Sequence, residues 1–154
     1  MTVTASEAAP ITSRLGWDDW GLGLAEAASK RADCRRRQVG AVITDSEHTI
    51  VGVGYNGYPA GKPGCLTEDG CPRGQLTYAQ VPAGSAYVGV AAVCSALHAE
   101  EQAVMRLARA HGARYTMYVN HEPCPNCSRL LGGVPGLIRV VWPAGELAVE
   151  RPLR

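Results

Sequence analysis

The stretch from Asn120 to Leu131, NHEPCPNCSRLL, decides the fold and the chemistry together. It places a Pro-Cys pair directly after the strand-like segment at 114–120, and a second cysteine one helical turn later. If a short helix begins there, Cys124 and Cys127 point at one ion, because residues three apart share a helix face. The helix N-terminus also favours the thiolate, which is the form that binds metal. The two cysteines are therefore predicted metal ligands, with two buried thiols as the alternative.

The residues that complete this set lie upstream in HAE, at 98–100. From His98 onward, the predicted helix continues for about 14 residues and covers about 20 Å, and the strand of about 7 residues that follows it returns about 23 Å. The starts of the two helices are therefore predicted to lie side by side, where His98 can meet Cys124 and Cys127. One His and two Cys leave the fourth tetrahedral position to water, which is the arrangement of a catalytic zinc. Such an ion lowers the pKa of its water to about 7.

Glu100 follows His98 by two residues and is the predicted proton carrier. In the first turn of a helix it can sit beside the ion without binding it, take a proton from the water and pass it to a leaving group. The alternative is a solvated helix start, which suits acidic residues. We prefer that second interpretation for Glu101.

Composition and charge narrow the possible partners. The chain has 154 residues, six cysteines and a net charge of +1, so no strong field makes nucleic acid the default partner. It has no stretch of about 20 apolar residues to cross a membrane, and its start has no basic-then-apolar signal pattern. We expect a loosely held lead-in at 1–16, one domain at 17–154, a cytoplasmic location and free or metal-bound thiols. The basic run at 29–37 is either a helix end or a contact for a phosphate-bearing ligand or effector.

The order of the elements predicts an α/β sandwich, in which helices cover a mixed sheet. The patterns predict helices at 17–32, 93–111 (stopped by Gly112) and 125–133, an antiparallel hairpin of strands at 39–45 and 49–56, and further strands at 114–120 and 137–142. A long connection rich in Gly and Pro, from 57 to about 90, needs a functional or structural reason.

HAE and PCPNC together resemble the H-x-E…P-C-x-x-C signature of zinc nucleobase deaminases. Over residues 17–142, the segments CRRRQVGAVI, GYNGYPAGKPGC, HAEEQAV, MYVNHEPCPNC and IRVVW are similar to the deoxycytidylate (dCMP) deaminase branch. The resemblance implies a three-layer α/β/α sandwich of the cytidine-deaminase type. It also implies hydrolysis of a pyrimidine nucleotide, dCMP to dUMP plus ammonia, with a catalytic zinc ion and Glu100 as proton shuttle. It further implies a homo-oligomer and leaves room for a nucleoside triphosphate effector.

The same resemblance assigns roles to single residues. Asn56 in GYNG matches a position that contacts the substrate's sugar, with a turn Asn as the alternative. Arg109 matches a basic position associated with the substrate phosphate, and on the predicted helix it stands three turns after His98 on the same side. Its alternative is a solvated surface Arg. His121 lines the pocket or has a capping or surface role.

Four cysteines remain outside the catalytic set: Cys34, Cys65, Cys71 and Cys94. A closed site of four thiolates on a structural zinc would fix the long connection, and many members of the branch resemble this arrangement. The alternative is four thiols without a ligand.

The end of the chain departs from the branch. It ends soon after VVWPAGELAVERPLR, whereas the branch usually continues with a further helix and strand that help to close the pocket. We therefore expect a fold truncated at the C-terminus, which leaves the substrate open. Three other functions compete with dCMP deamination. The first is a deaminase of a free base or nucleoside such as cytosine or guanine. The second is a tRNA adenosine deaminase, which the near-neutral charge disfavours, and the third is a non-catalytic zinc module, which would be expected to lose Glu100.

Overall fold

A mixed five-stranded sheet forms the centre of the protein. The computed structural model describes residues 13–67, 70–87, 93–110 and 113–149. Its strands are β1 (Gly40–Asp45), β2 (Ile50–Tyr55), β3 (Tyr115–Val119), β4 (Leu137–Trp142) and β5 (Gly145–Ala148). They lie in the order β2-β1-β3-β4-β5. β1 pairs antiparallel with β2 and β3, β3 pairs parallel with β4, and β4 pairs antiparallel with β5, which confirms the hairpin and the mixed sheet.

Three helices cover the two faces of this sheet: α1 (Trp17–Ser29), α2 (Ala99–Met105) and α3 (Pro125–Leu131). Successive residues of a strand point to opposite faces, and β1 shows this directly. Ala41 and Ile43 join the core formed with α2 and α3, whereas Val42 joins the core formed with α1. The predicted three-layer α/β/α sandwich is therefore confirmed.

Helix α2 begins later than the sequence predicts. The residues from 93 to 97 are not helical, because the backbone of Leu97 pairs with that of Gly57 in an isolated bridge. His98 then stands at the N-cap in extended conformation, with φ −73° and ψ 157°. The predicted start at 93 was wrong because pairing with the long connection overrides local helix preference.

Helix α2 also ends earlier than predicted, at Met105. The backbone N–H of Ala108 donates to the carbonyl of Val51 at 2.9 Å, and the Arg106 guanidinium donates to the carbonyl of Val53 at 3.2 Å. These bonds occupy the outer edge of β2, which would otherwise expose unpaired backbone groups. The chain therefore leaves the helix to cover an edge strand. Gly112, the predicted stop, lies outside the described residues.

The ends of the chain add two further differences. Strand β5 was not predicted, and it forms because the chain turns tightly after Trp142 and pairs back onto β4. Most of the lead-in predicted at 1–16 lies outside the described residues, while the carbonyl of Gly16 already accepts the Trp20 N–H of α1. None of the helices described here is long and apolar enough to cross a bilayer.

An ion-pair network joins α1 to the edge of the sheet formed by β4 and β5. Both terminal nitrogens of Arg139 on β4 donate to the Asp18 carboxylate of α1, at 2.8 and 2.7 Å. The Nε of the same guanidinium donates to Glu146 of β5 at 2.6 Å. This two-pronged geometry is the strongest form of a surface ion pair.

Candidate active site

Three side chains meet where α2 and α3 begin. Nδ1 of His98 lies 3.6 Å from Sγ of Cys124 and 3.3 Å from Sγ of Cys127, and all three atoms lie within 4.8 Å of one another. Ordinary zinc–nitrogen and zinc–sulfur bonds at a tetrahedral angle place N and S about 3.6 Å apart. One nitrogen and two sulfurs at these spacings therefore fit a zinc ion. Among the described residues, this is the single group of three such donors.

The local sequence explains why the donors converge. Cys124 is the N-cap of α3, and its sulfur accepts the backbone N–H of Cys127 at 3.5 Å. At the start of α2, the His98 backbone N–H donates to the Glu101 carboxylate at 2.7 Å. Glu101 therefore caps the helix and fixes the backbone of His98, the predicted ligand, which agrees with the non-catalytic interpretation of Glu101.

Glu100 lies on the inner side of the same helix turn and is only 4% exposed. Burial raises the pKa of its carboxyl, which suits a group that must take and return protons near neutral pH. Burial also raises the pKa of the Cys127 thiol, and the charge of Glu100 adds to that effect. Because metal binding requires the thiolate, an ion at this site would deprotonate Cys127.

A cavity opens beside these residues and is lined by His98, Glu100 and Cys124. The wall of this cavity also carries cationic and aromatic side chains. It contains three arginines, two tyrosines and the side chains that follow β3, namely Arg36, Arg37, Arg73, Tyr78, Tyr87, His121 and Glu122. His121 lines the cavity, which is one of the two roles that the sequence allowed for it. Burial lowers the pKa of its imidazole, and the nearby charge of Arg37 lowers it further.

Two of these arginines hold the long connection in place. Arg36 donates to the carbonyls of Leu76 and Val81 and lies 4.1 Å over the ring of Tyr78. Arg73 holds the segment that leads to Tyr87 in the same way. The guanidiniums thus supply the structural reason that a loop of this length requires.

Arg37 is different, since its side chain is exposed and lines the cavity. Within the described part of the chain, its guanidinium has no hydrogen bond or ion pair. It is close enough to lower the pKa of His121, after the larger effect of burial. This cation is available to a ligand in the cavity.

Asn56 lines the cavity, as predicted for a sugar contact. Its side chain is also tied to the backbone: Oδ1 accepts the Val39 N–H at 2.7 Å, and Nδ2 donates to the Arg37 carbonyl at 2.8 Å. One amide hydrogen of Asn56 remains for a substrate. The sugar contact stays a prediction, and the structural role of a turn Asn is present as well.

Arg109 does not lie where the sequence placed it. Helix α2 ends at Met105, so Arg109 is not three helical turns after His98 but sits exposed in the segment that covers β2. Ala99 lies against the end of β2, at Gly54, whereas Ala108 bonds to Val51 near its start. Arg109 is therefore at the opposite end of α2 from His98, and it does not line the cavity.

The four remaining cysteines, Cys34, Cys65, Cys71 and Cys94, all line another part of the cavity wall. No three of their sulfurs lie within 4.8 Å of one another in the described structure. Burial raises the pKa of Cys65 to about 12 and that of Cys94 to about 11, so both are thiols at neutral pH. The structure gathers these cysteines without forming a closed metal site, and the second zinc stays a prediction.

Comparison with known proteins identifies relatives. The family model for the cytidine and deoxycytidylate deaminase zinc-binding region matches residues 15–141. The deoxycytidylate deaminase of Mycobacterium phage D29 is 45% identical over 131 residues, which cover 85% of this chain and 97% of the phage protein. That of Schizosaccharomyces pombe is 33% identical over 120 residues, 77% of this chain and 34% of the yeast protein. The chain thus spans about a third of the yeast relative.

Solved structures agree with these relatives. The dCMP deaminase of cyanophage S-TIM5 in complex with dCMP and dUMP superposes with a TM-score of 0.57 at 25% identity, covering 80% of this chain and 78% of that one. The cytidine deaminase of Mycobacterium leprae gives a TM-score of 0.51 at 19% identity, covering 88% of this chain and 95% of that one. The second likeness supports the fold alone.

Sequence reasoning missed part of the cavity wall. The basic run at 29–37 predicts either a helix end or a phosphate contact, but nothing in it separates Arg36, whose guanidinium binds backbone carbonyls, from Arg37, whose guanidinium does not. Arg73 and Tyr87 had no signal at all, because their positions depend on how a long connection folds back over the sheet.

Proposed function

The chain belongs to the zinc-dependent cytidine and deoxycytidylate deaminase family, and we propose that its reaction is the hydrolysis of dCMP to dUMP and ammonia. The observation that carries this substrate is the charge of the cavity. Three arginines line it beside the His98, Cys124 and Cys127 group, and within the described residues none of them forms an ion pair. A nucleoside monophosphate is a dianion near neutral pH, and such a wall attracts it.

Arg37 is the proposed phosphate contact, in place of Arg109. It is exposed in the cavity, while Arg36 is bound to carbonyls. A guanidinium can bind a phosphate with two parallel hydrogen bonds. The free amide hydrogen of Asn56 is the proposed sugar contact, since the backbone bonds of that side chain hold it at the cavity rim.

His98, Cys124 and Cys127 are the proposed ligands of the zinc ion. When bound, zinc lowers the pKa of a water molecule to about 7, so that a nucleophile is available at neutral pH. The family is zinc-dependent, and the donor spacing fits the ion, as described above. The number of ions is a separate question.

Glu100 is the proposed proton carrier. Its buried carboxylate would take one proton from the attacking water and deliver it to the ring nitrogen N3, and then carry the proton of the new C4 hydroxyl to the exocyclic amine. The bond from C4 to oxygen forms, the bond from C4 to nitrogen breaks, and ammonia leaves. The burial of Glu100 keeps bulk water from competing for these protons.

A structural zinc on Cys34, Cys65, Cys71 and Cys94 is a further proposal. All four cysteines line the wall of the same cavity. Zinc–sulfur bonds of about 2.3 Å require sulfurs about 3.8 Å apart, so the connection would have to close slightly around the ion. The free energy of metal binding is available for that closure.

Three broader expectations come from the family likeness. We propose a homo-oligomer, a cytoplasmic location and a nucleoside triphosphate as effector. Exposed apolar side chains on β2 and at the end of α2, Ile50, Val53 and Met105, offer a surface for self-association. Size-exclusion chromatography with light scattering tests the first expectation.

A panel of amines tests the substrate directly. Ammonia release is measured with dCMP, CMP, deoxycytidine, cytosine and guanine, using zinc-loaded protein. The proposal requires dCMP to have the highest kcat/KM. A clear preference for cytosine, guanine or deoxycytidine instead would identify a deaminase of a free base or nucleoside.

A further inference from the structure

The ring of Tyr87 lies against the ring of His98. Their centroids are 4.7 Å apart and their planes are 79° apart, which is an edge-to-face contact. Such contacts fix the relative orientation of two rings and contribute beyond the area they bury. Tyr87 comes from the end of the long connection, eleven residues before His98, so the chain folds back to place this ring against a proposed metal ligand.

His98 needs such a contact because its second ring nitrogen lacks the usual support. A histidine that binds a metal normally donates its other N–H to a carboxylate or carbonyl, which sets the ring's orientation. In His98, Nδ1 faces the two cysteine sulfurs. Within the described residues, Nε2 has no hydrogen-bond partner. The backbone of His98 is held by Glu101, but that bond does not fix the ring.

Arg73 holds Tyr87 in place through backbone and ring contacts. Its guanidinium donates to the carbonyls of Ala86 at 2.6 Å and Ser85 at 2.9 Å, and it lies 4.6 Å over the Tyr87 ring. Arg73 is only 4% exposed, and in the described part of the chain it has no carboxylate partner. A buried cation is costly unless its donors are satisfied, so these carbonyl and ring contacts are needed for it to stay there.

We propose that Arg73 and Tyr87 are positioning residues that hold the His98 ring in the orientation that binds metal. The chain Arg73, Tyr87, His98 replaces the hydrogen bond that usually orients a ligating histidine. This inference rests on the metal site of the proposed function, but it does not depend on which amine is the substrate. It also gives the long connection a role at the active site.

The test replaces zinc by cobalt(II), whose visible absorption reports the geometry of its ligands. Spectra and cobalt affinities, measured by competition with a chelator, are compared for wild type, Tyr87→Ala and Tyr87→Phe. The spectrum of His98→Ala is subtracted, so that only absorption that depends on this site is compared. Tyr78→Ala is the matched control, because Tyr78 also stacks on an arginine of the cavity wall but has no ring contact with His98.

We expect Tyr87→Ala to shift the visible bands and weaken cobalt binding about 10- to 100-fold, as when a residue that orients a metal ligand is lost. Tyr87→Phe keeps the ring edge and should stay within about threefold of wild type. Arg73→Lys, which keeps the charge but loses the two-pronged donation, should fall between them. Tyr78→Ala should keep the wild-type spectrum.

The inference is overturned if Tyr87→Ala keeps both the wild-type spectrum and affinity. If that variant does not fold, Tyr87→Leu replaces it, since leucine fills similar space without a ring, and the same two outcomes decide. A wild-type protein that binds cobalt normally but leaves dCMP unchanged would contradict the proposed substrate and not this role of Tyr87.

Discussion

A Cβ atom on Gly54 would lie 2.0 Å from the carbonyl oxygen of Ala99 and 2.5 Å from the backbone nitrogen of Ala103. The backbones of β2 and α2 are therefore in direct contact, and only glycine permits such an approach. Ala99 follows His98, so the contact sets how far this proposed metal ligand stands from the sheet. Gly54 is therefore needed both for the packing of β2 against α2 and for the position of His98.

Gly54→Ala should therefore lower both the free energy of unfolding and the zinc content. The added methyl group meets backbone rather than a flexible side chain, so α2 must move away. Overpacking of this kind costs about 1–3 kcal/mol, occasionally more. Urea unfolding and zinc content are the measurements. The control is Gly23→Ala on α1, where an added Cβ meets nothing within 4 Å and a helical Gly-to-Ala change should stabilise by up to about 1 kcal/mol. Wild-type stability and zinc content in Gly54→Ala would show that the two backbones are not in contact.

Arg37→Ala should weaken recognition of the nucleotide. Losing a hydrogen bond to a charged group costs about 1.5–3 kcal/mol, or roughly 10- to 100-fold in binding. We expect KM for dCMP to rise by that factor, with little change for deoxycytidine, which has no phosphate. Arg109→Ala is the matched control and should leave both KM values unchanged, because Arg109 lies outside the cavity. The reverse pattern would restore the role that the sequence suggested for Arg109.

The ion pair between Asp18 and Arg139 should make stability depend on pH in the acid range. The hydrogen bond from Arg139 lowers the pKa of the Asp18 carboxyl below its ordinary value. The folded-state pKa is thus below the unfolded one, so the contribution is complete above about pH 4 and disappears as the pH falls through the folded value. Because Asp18 is 44% exposed, we expect only about 0.5–1 kcal/mol.

Asp18→Asn measures this contribution. Urea unfolding at pH 7 should show the variant less stable than wild type, and the difference should shrink as the pH is lowered below about 4. A difference that stays constant as the pH is lowered would mean that the carboxylate charge is not what stabilises the contact.

Metal analysis should give close to two zinc ions per chain if the remaining cysteines close around an ion. Cys65→Ser should then lose one ion and unfold at a lower temperature, because Cys65 is buried among these thiols. Cys124→Ser should lose the other ion and keep the one held by these four cysteines. A single zinc ion in fully active wild-type protein would eliminate the structural site.

The meeting of His98, Cys124 and Cys127 could be predicted from the sequence because its signals are local. Two short spacings carry these signals, that of Cys124 and Cys127 and that of His98 and Glu100. Each pair lies within one turn at the start of a helix, and the geometry of such a turn is regular. The lengths predicted for the helix and the strand that connect His98 to Cys124 were less accurate. Helix α2 has seven residues and not about fourteen, and the chain returns to β3 through a segment that covers the edge of β2.

Features that depend on distant contacts could not be predicted. Arg109 was misplaced because the bonds of Ala108 and Arg106 to β2 end the helix, and no helix propensity records them. Strand β5 forms only because β4 offers a partner. Arg73 and Tyr87 reach the site through a connection whose path is set by guanidinium–carbonyl bonds and not by periodicity.

The most direct test compares wild type with Glu100→Gln, measuring zinc content and the rate of ammonia release from dCMP in the same preparations. The amide keeps the size of the side chain but cannot carry the proton, a function worth about 10²- to 10⁴-fold in rate. We predict that wild type converts dCMP to dUMP, and that Glu100→Gln holds the same amount of zinc but loses activity by at least 10²-fold. A zinc-loaded Glu100→Gln that deaminates dCMP at the wild-type rate, or a zinc-loaded wild type that leaves dCMP unchanged, would contradict the proposed function.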